Sequence, residues 1–445
     1  MNRARWKRFR PLPGIRKRVQ VMKSHGDLLI IGAGLAGLMA GWQAAAQGMK
    51  VRVVAKGWGA THWLSGCVDV LGYYPLDNAR PVTNPAGTLP HLIAAQPQHP
   101  YALVGPQKLA AALAALQTLC AEADYPLHGS LDHNWLLPSA VGTFRPTCLA
   151  PETMIAGDLS HPASMLIVGF RQLRDFYPNL VADNLSQQGI PAGYVTLDLP
   201  SLQKRGFNTP VTLARMFEDT LFRSEVVAKL QPLVRDVERV GFPAVLGLHD
   251  ARTVKEALEA RLRRPVFEIP SLTPSIAGIR LHNILLAAIK QHGGQVFDGM
   301  EALAADSDAG HITAVYTEAS ARRRAHRYDH YLLATGGILG GGLRTDYQGQ
   351  IREVVFDLPV SAPAGRLNWF RRDFMDREGH PIYQSGLQVD ARFRPVAANG
   401  THQAVYQNLY AAGTTLAHCE VIRERSFEGV TLATGYAAIE ALRSA

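Results

Sequence analysis

The stretch Asp27–Lys56, DLLIIGAGLAGLMAGWQAAAQGMKVRVVAK, constrains this chain more than any other. An apolar run, Leu28 to Ile31, ends in Gly32-Ala33-Gly34-Leu35-Ala36-Gly37, a G-x-G-x-x-G. A helix-compatible run continues to Gln47, Gly48 breaks it, and Val51 to Val54 reads as a second strand. Strand, glycine turn, helix and strand in that order make a mononucleotide-binding unit. Gly32 permits the tight turn, Gly34 lets a pyrophosphate approach the backbone, and Gly37 lets helix and strand pack closely. The N–H groups of the helix start, at Leu35 and Ala36, then hold the phosphate together with the helix's partial positive charge.

One position modifies that reading. Dinucleotide sites usually end the second strand on Asp or Glu, which accepts hydrogen bonds from the adenosine ribose. Here the position just past Val54 is Ala55, followed by Lys56. NAD is therefore disfavoured. FMN is expected, or FAD held in a non-standard way, with Lys56 among the cofactor contacts; the alternative is that another residue supplies the ribose contact. The loop that follows, Gly57 to Asp69, is rich in small and hydroxyl residues and lies where a flavin ring would cross the sheet's carboxyl edge. Thr61 and Ser65 can bond the phosphate or ring edge there, and Gly66 lets backbone approach it.

The formal charge of +9 suggests nucleic acid until it is located. Residues 1–23 carry nine basic residues and no acid, which accounts for the whole excess and leaves the rest of the chain formally neutral. No nucleic-acid partner is expected. The arm reads as a disordered basic segment, a lipid-contacting one, or an over-long start with Met22 the true first residue. The uncharged run Leu28–Met49 is long enough to suggest a membrane span, but its glycines and change of period mark a buried strand plus helix. Cys67, Cys120, Cys148 and Cys419 form no C-x-x-C, so no zinc or iron–sulfur centre is expected and a reducing cytoplasm fits.

Further along, residues 75–100 read as an excursion and Gln107–Ala123 as a helix. Residues 125–270 alternate short strands (165–169, 194–197, 244–247) with helices (211–230, 254–263). A helix opening near Gly278 leads to strands near Val296 and Ile312, then to Tyr328–Ala334, which closes in Thr335-Gly336-Gly337. Asn408–Thr414 is another strand-to-glycine turn, and Gly429-Val430 begins the last helix, whose start would face the flavin pyrimidine. Thr335, Gly336, Gly413, Gly429 and Val430 therefore join the cofactor contacts. The fold class is α/β: a discontinuous Rossmann-like flavin-binding domain (24–75, 271–345, 401–445) with an inserted α/β or α+β capping domain (76–270, 346–400).

Taken together these residues resemble the B subunits of anaerobic glycerol-3-phosphate dehydrogenases, over nearly all of 24–445. The resemblance rests on the nucleotide unit and His62 with Ser65-Gly66-x-x-Asp69. It extends through His99-Pro100-Tyr101-Ala-Leu-Val-Gly105-Pro106-Gln107 and Pro270-Ser-Leu-Thr-Pro274-Ser275-x-x-Gly278-Ile279-Arg280-Leu281-x-Asn283. It implies an FMN-associated flavoprotein, paired with a catalytic flavoprotein (the A subunit) and tied to the membrane by an iron–sulfur protein (the C subunit). The complex would lie at the inner face of the cell membrane. It would oxidise sn-glycerol 3-phosphate to dihydroxyacetone phosphate and pass electrons to menaquinone. One departure stands out: Arg423-Glu424-Arg425-Ser426-Phe427-Glu428 replaces the family's glycine run before the final helix.

If this chain performs the oxidation, a base must remove the hydroxyl proton while hydride leaves the carbinol carbon. His62 and His282 are the base candidates, and Arg280, Arg344 or Arg425 could clamp the phosphate. The alternative is a non-catalytic electron-transfer or assembly protein of the complex, or a flavoprotein acting on another hydroxy acid or dicarboxylate.

Overall fold

The structure is a computed structural model that describes residues 24–76, 80–203, 208–320, 322–397 and 402–444. The basic arm lies outside them. In chain order, β1 (Ser24–Ile31), α1 (Leu35–Ala46) and β2 (Val51–Val54) form the opening unit. Three helices follow, α2 (Pro85–Ala95), α3 (Pro100–Val104) and α4 (Pro106–Glu122). The hairpin strands β3 (Trp135–Pro138) and β4 (Phe144–Thr147) come next. A four-stranded parallel sheet in the order β8-β7-β5-β6 is then built from β5 (Met165–Phe170), β6 (Ala192–Leu197), β7 (Arg239–Pro243) and β8 (Val266–Ile269). Its helices are α5 (Pro178–Gln187), α6 (Pro210–Phe217), α7 (Thr220–Leu230) and α8 (Ala251–Leu262). Helix α9 (Ile276–Gln291) returns the chain to the first sheet. That sheet gains β9 (Gln295–Phe297), β10 (Glu301–Asp308), β11 (His311–Ala319), β12 (Arg322–Leu333) and β13 (Leu409–Ala411) before the closing helix α10 (Phe427–Arg443).

The first sheet runs β9-β2-β1-β12-β11-β10, with β13 beside β12. Its parallel strands are covered on both faces, so they need unbroken apolar runs, and Leu28–Ile31, Tyr331–Leu333 and Leu409–Ala411 are all buried. The chain leaves β1 for β2 on one side and comes back to β12 on the other. That reversal opens a crevice at the strands' carboxyl ends. The register places Phe297, Val54, Ile31, Leu333 and Ala411 in one row across the sheet. The residues after that row, Asp298, Ala55, Gly32, Ala334 and Ala412, form its upper edge.

Each sheet has its own core, one around Leu28–Ile31 and one around Ile167 and Phe242. Residues 82–127 fall in the span expected to be inserted, yet Leu92, Tyr101 and Leu113 pack into the first core. Other details depart from the sequence reading. The 75–100 excursion contains α2, started by Pro85 and capped by Asn84, whose Oδ1 accepts from Gly87 N–H at 2.8 Å. The helix expected over 211–230 is two, because Asp219 interrupts it and caps α7 through Leu221 N–H. The strand expected at 244–247 is instead Arg239–Pro243. Residues 244–247 turn, with Gly247 at φ +86° and Leu246 N–H given to the Glu268 carboxylate at 2.8 Å.

Candidate functional site

Three separated pieces of backbone meet at the upper edge of the first sheet. Gly32, at φ +119°, lies so close to the Ala334 carbonyl that a Cβ would collide with it. Gly337 packs on the Thr414 carbonyl and its N–H meets Thr414 Oγ1 at 3.3 Å. Gly413 lies on Ala36 of α1 and gives its N–H to Thr434 Oγ1 at 2.8 Å. Amid this close packing Gly34 is open: nothing lies within 4 Å of where its Cβ would stand. Gly34 is also the N-cap of α1, which has no side-chain cap and no acid in its first turn. The N–H groups at Leu35 and Ala36 have no acceptor among the described residues, and a helix start of this kind suits an anion. Buried Thr335 Oγ1 and Thr61 Oγ1 likewise lack a partner among the described residues.

The loop after β2 folds back over this mouth, with Gly59 against the Ala33–Gly34 peptide. Thr61–Trp63 forms a 3-10 turn seated on the start of α9, where Gly278 leaves no room between Thr61 and Leu64 carbonyls and Gly66 packs on Ala277. Ser275 caps that helix through Gly278 N–H at 3.1 Å. Ser65 Oγ accepts from Cys67 N–H. This seating brings His62 and His282 together, ring centroids 6.0 Å apart, with Trp58 5.5 Å from the first and 6.2 Å from the second. Burial, then the neighbouring His62, pushes His282 down to about 4; burial also lowers His62. Both rings are neutral at physiological pH, and each has an Nδ1 without a partner among the described residues.

Three expectations are corrected. Arg280 is no phosphate clamp. It points the opposite way from His282, as residues two apart on a helix must, and is buried against Glu268 of β8. Nη1 and Nη2 lie 2.7 and 2.9 Å from the Glu268 oxygens, and Nε and Nη2 donate to the Gly247 carbonyl. The signal was present in the sequence: an acid inside the apolar strand Val266-Phe-Glu-Ile269 requires a buried cation. Second, Gly429 and Val430 have no N–H to offer a ring, because theirs go to the Asp69 and Ser426 carbonyls. Third, Lys56 turns outward into an exposed pair with Glu301 at 3.1 Å.

Sequence reasoning also missed a charged centre where the 67–70 segment, the β3–β4 hairpin and the start of α10 meet. Asp69 Oδ2 receives Arg145 Nη2 at 2.7 Å and Arg425 Nε at 2.9 Å. Arg425 holds a left-handed backbone, φ +51°. Beside them buried Glu428 is pushed up to about 8 by burial and by the Asp69 charge. A second buried pair, His99 Nε2 and Glu424 Oε2 at 3.1 Å, anchors α3 to the same segment. The charge run at 423–428 thus forms internal pairs, with Arg423 held by Glu420. His99 and Asp69 in the family blocks were the available clues.

Residues 27–426 match the FAD binding domain family. A protein of Halobacterium salinarum, described as the probable B subunit of an anaerobic glycerol-3-phosphate dehydrogenase, is 34% identical over 430 residues, 94% of this chain and 97% of the relative. The chain belongs to the B-subunit family of anaerobic glycerol-3-phosphate dehydrogenases. Members from Pectobacterium atrosepticum and Yersinia enterocolitica are 33% and 29% identical, over 91% and 94% of this chain and 96% and 98% of theirs. The match corrects the cofactor: the family signature is for FAD, and FMN as first choice is not supported. The open Gly34 and the donor-lined start of α1 fit such a group. Among the described residues no helix is long and apolar enough to cross a membrane.

Proposed function

We propose that this flavoprotein of a dehydrogenase complex holds FAD and oxidises sn-glycerol 3-phosphate to dihydroxyacetone phosphate, the complex being linked to the quinone pool, menaquinone in particular. Its partners would be a catalytic flavoprotein, the A subunit, and an iron–sulfur protein, the C subunit. Through them it would sit at the cytoplasmic face of the membrane. The observation that carries this reading is the open space at Gly34 beside helix-start N–H groups that have no acceptor among the described residues, in a chain of this family.

Gly32, Gly34, Leu35, Ala36 and Gly37 would hold the pyrophosphate, while Thr61, Ser65, Gly66, Thr335, Gly336 and Gly413 border the flavin. Bound there, FAD supplies a hydride acceptor for the carbinol carbon. The chain's own part is proton and position. The partly exposed His62 ring, neutral, accepts the hydroxyl proton, with neutral His282 behind it. For the phosphate, Arg344 and the partly exposed Arg425 remain once Arg280 is spent on Glu268. That withdrawal also favours a second reading, in which this chain relays electrons from the partner that meets the substrate.

The deciding measurement uses the purified full chain. Mass spectrometry of acid-released cofactor should find FAD, and anaerobic sn-glycerol 3-phosphate should bleach its visible absorption. FAD present without bleaching selects the relay; protein that neither carries nor takes up flavin rejects both readings.

A further inference from the structure

The ribose acid missing from the tip of β2 has a counterpart one strand away. β9 runs parallel to β2 with Phe297 opposite Val54, so Asp298 stands beside Ala55 in the upper row of the sheet. The two tips are tied together: Ala55 N–H donates to the Phe297 carbonyl at 2.9 Å, and Met300 N–H to the Ala55 carbonyl at 2.8 Å. Asp298 Oδ2 accepts from Trp58 Nε1 at 2.5 Å, and the next residue, Gly59, rests on the Ala33–Gly34 peptide. A carboxylate is thus held at the right level of the sheet and fixed by the very loop that borders the pyrophosphate mouth. Its second oxygen, Oδ1, has no hydrogen-bond partner among the described residues, and the residue is exposed. Glu301 is also nearby, but it is engaged with Lys56 and lies further along the chain.

We propose that Asp298 anchors the adenosine ribose of FAD, accepting from its hydroxyls in place of the acid absent at Ala55. This deepens the FAD reading and rests on it. The chemistry is that of the usual site: a vicinal diol is bound by a carboxylate that accepts from both hydroxyls. Only the strand supplying the acid has changed, which the parallel register allows because neighbouring tips end in the same row. The consequence is selectivity for the dinucleotide, since FMN has no second ribose to meet Asp298.

The test compares FAD and FMN binding to the flavin-stripped full chain, followed by quenching of tryptophan fluorescence. Asp298→Asn is the informative variant, because the amide oxygen still accepts from Trp58 and the loop stays in place. Wild type should prefer FAD to FMN, and D298N should weaken FAD by about tenfold to a hundredfold, the effect of losing a charged acceptor, with FMN unchanged. ADP should compete with FAD on wild type and much less well on D298N, while Glu301→Gln leaves both affinities as they were. Equal FAD affinity in D298N and wild type overturns the assignment, as does a wild type that binds FMN as tightly as FAD. Failure of wild type to bind either flavin removes the FAD reading itself, a separate outcome.

Discussion

Arg145 and Arg425, far apart in the chain, donate to the same oxygen of Asp69, at 2.7 and 2.9 Å. Arg145 comes from the β3–β4 hairpin and Arg425 from the turn before α10, so Asp69 joins an excursion of the chain to its closing helix. Asp69 and Arg145 are almost wholly buried, whereas Arg425 is about one-third exposed. The two arginines should therefore differ in worth. Arg145→Ala leaves a buried carboxylate short of its cation and should cost about 3–5 kcal/mol in urea unfolding. Arg425→Ala, screened by water, should cost about 1 kcal/mol or less. Equal losses would mean that burial does not set the strength of this centre.

Glu428 gives that centre a pH dependence. Its carboxyl is raised from 4.5 to about 8 in the folded chain by burial, then by Asp69, with Arg145 and Arg425 opposing. Between those values the folded chain binds a proton that the unfolded chain has lost, so stability falls as pH rises. The contribution is complete below about pH 4.5 and gone above about pH 8. Glu428→Gln cannot ionise, so its melting temperature relative to wild type should climb steadily across this window. A difference that stays flat from about pH 5 to pH 8 would show that Glu428 titrates normally.

His282 works in the opposite sense. Its folded value is lowered to about 4 from 6.5, so the stability of its neutral form is present above about pH 6.5 and lost on acidification towards about pH 4. His282→Asn should flatten the acid limb of the stability curve; an unchanged acid limb would place the proton uptake elsewhere.

The glycines of the nucleotide unit should separate by role. At Gly32 a Cβ would strike the Ala334 carbonyl and φ is +119°, so Gly32→Ala should lower the melting temperature of the apoprotein. At Gly34 there is open space, so Gly34→Val should fold as wild type and yet retain little flavin after gel filtration. Flavin occupancy that survives G34V would place the phosphate somewhere else.

Arg280→Met addresses the buried pair with Glu268. Losing it should cost about 3–5 kcal/mol of folding stability while the KM of the intact complex for glycerol 3-phosphate stays where it was. A raised KM with unaltered stability would restore Arg280 to the substrate.

Much of the site was legible because its signals are local. The unbroken apolar run before Gly32 determined a doubly covered parallel strand, and the glycine spacing determined a tight turn onto an uncapped helix. Both properties live within a few residues, where backbone sterics and hydrogen-bond geometry decide the outcome. His62 and His282 were also singled out from sequence, although their approach to 6.0 Å depends on α9 seating beneath the 61–63 turn.

Partnership between distant side chains was not legible. Arg280 and His282 look equivalent in sequence, and only the rotation of α9 sends one to Glu268 and the other towards His62. Ala55 reads as a missing acid because the strand that places Asp298 beside it arrives only after the whole second sheet has been built. The sequence alone thus determined the turn, the helix start and the family; the tertiary structure decided which charges face one another. The physical reason is that backbone geometry is set by neighbours along the chain, whereas charge pairing depends on strand register and helix rotation, which form only when the cores close.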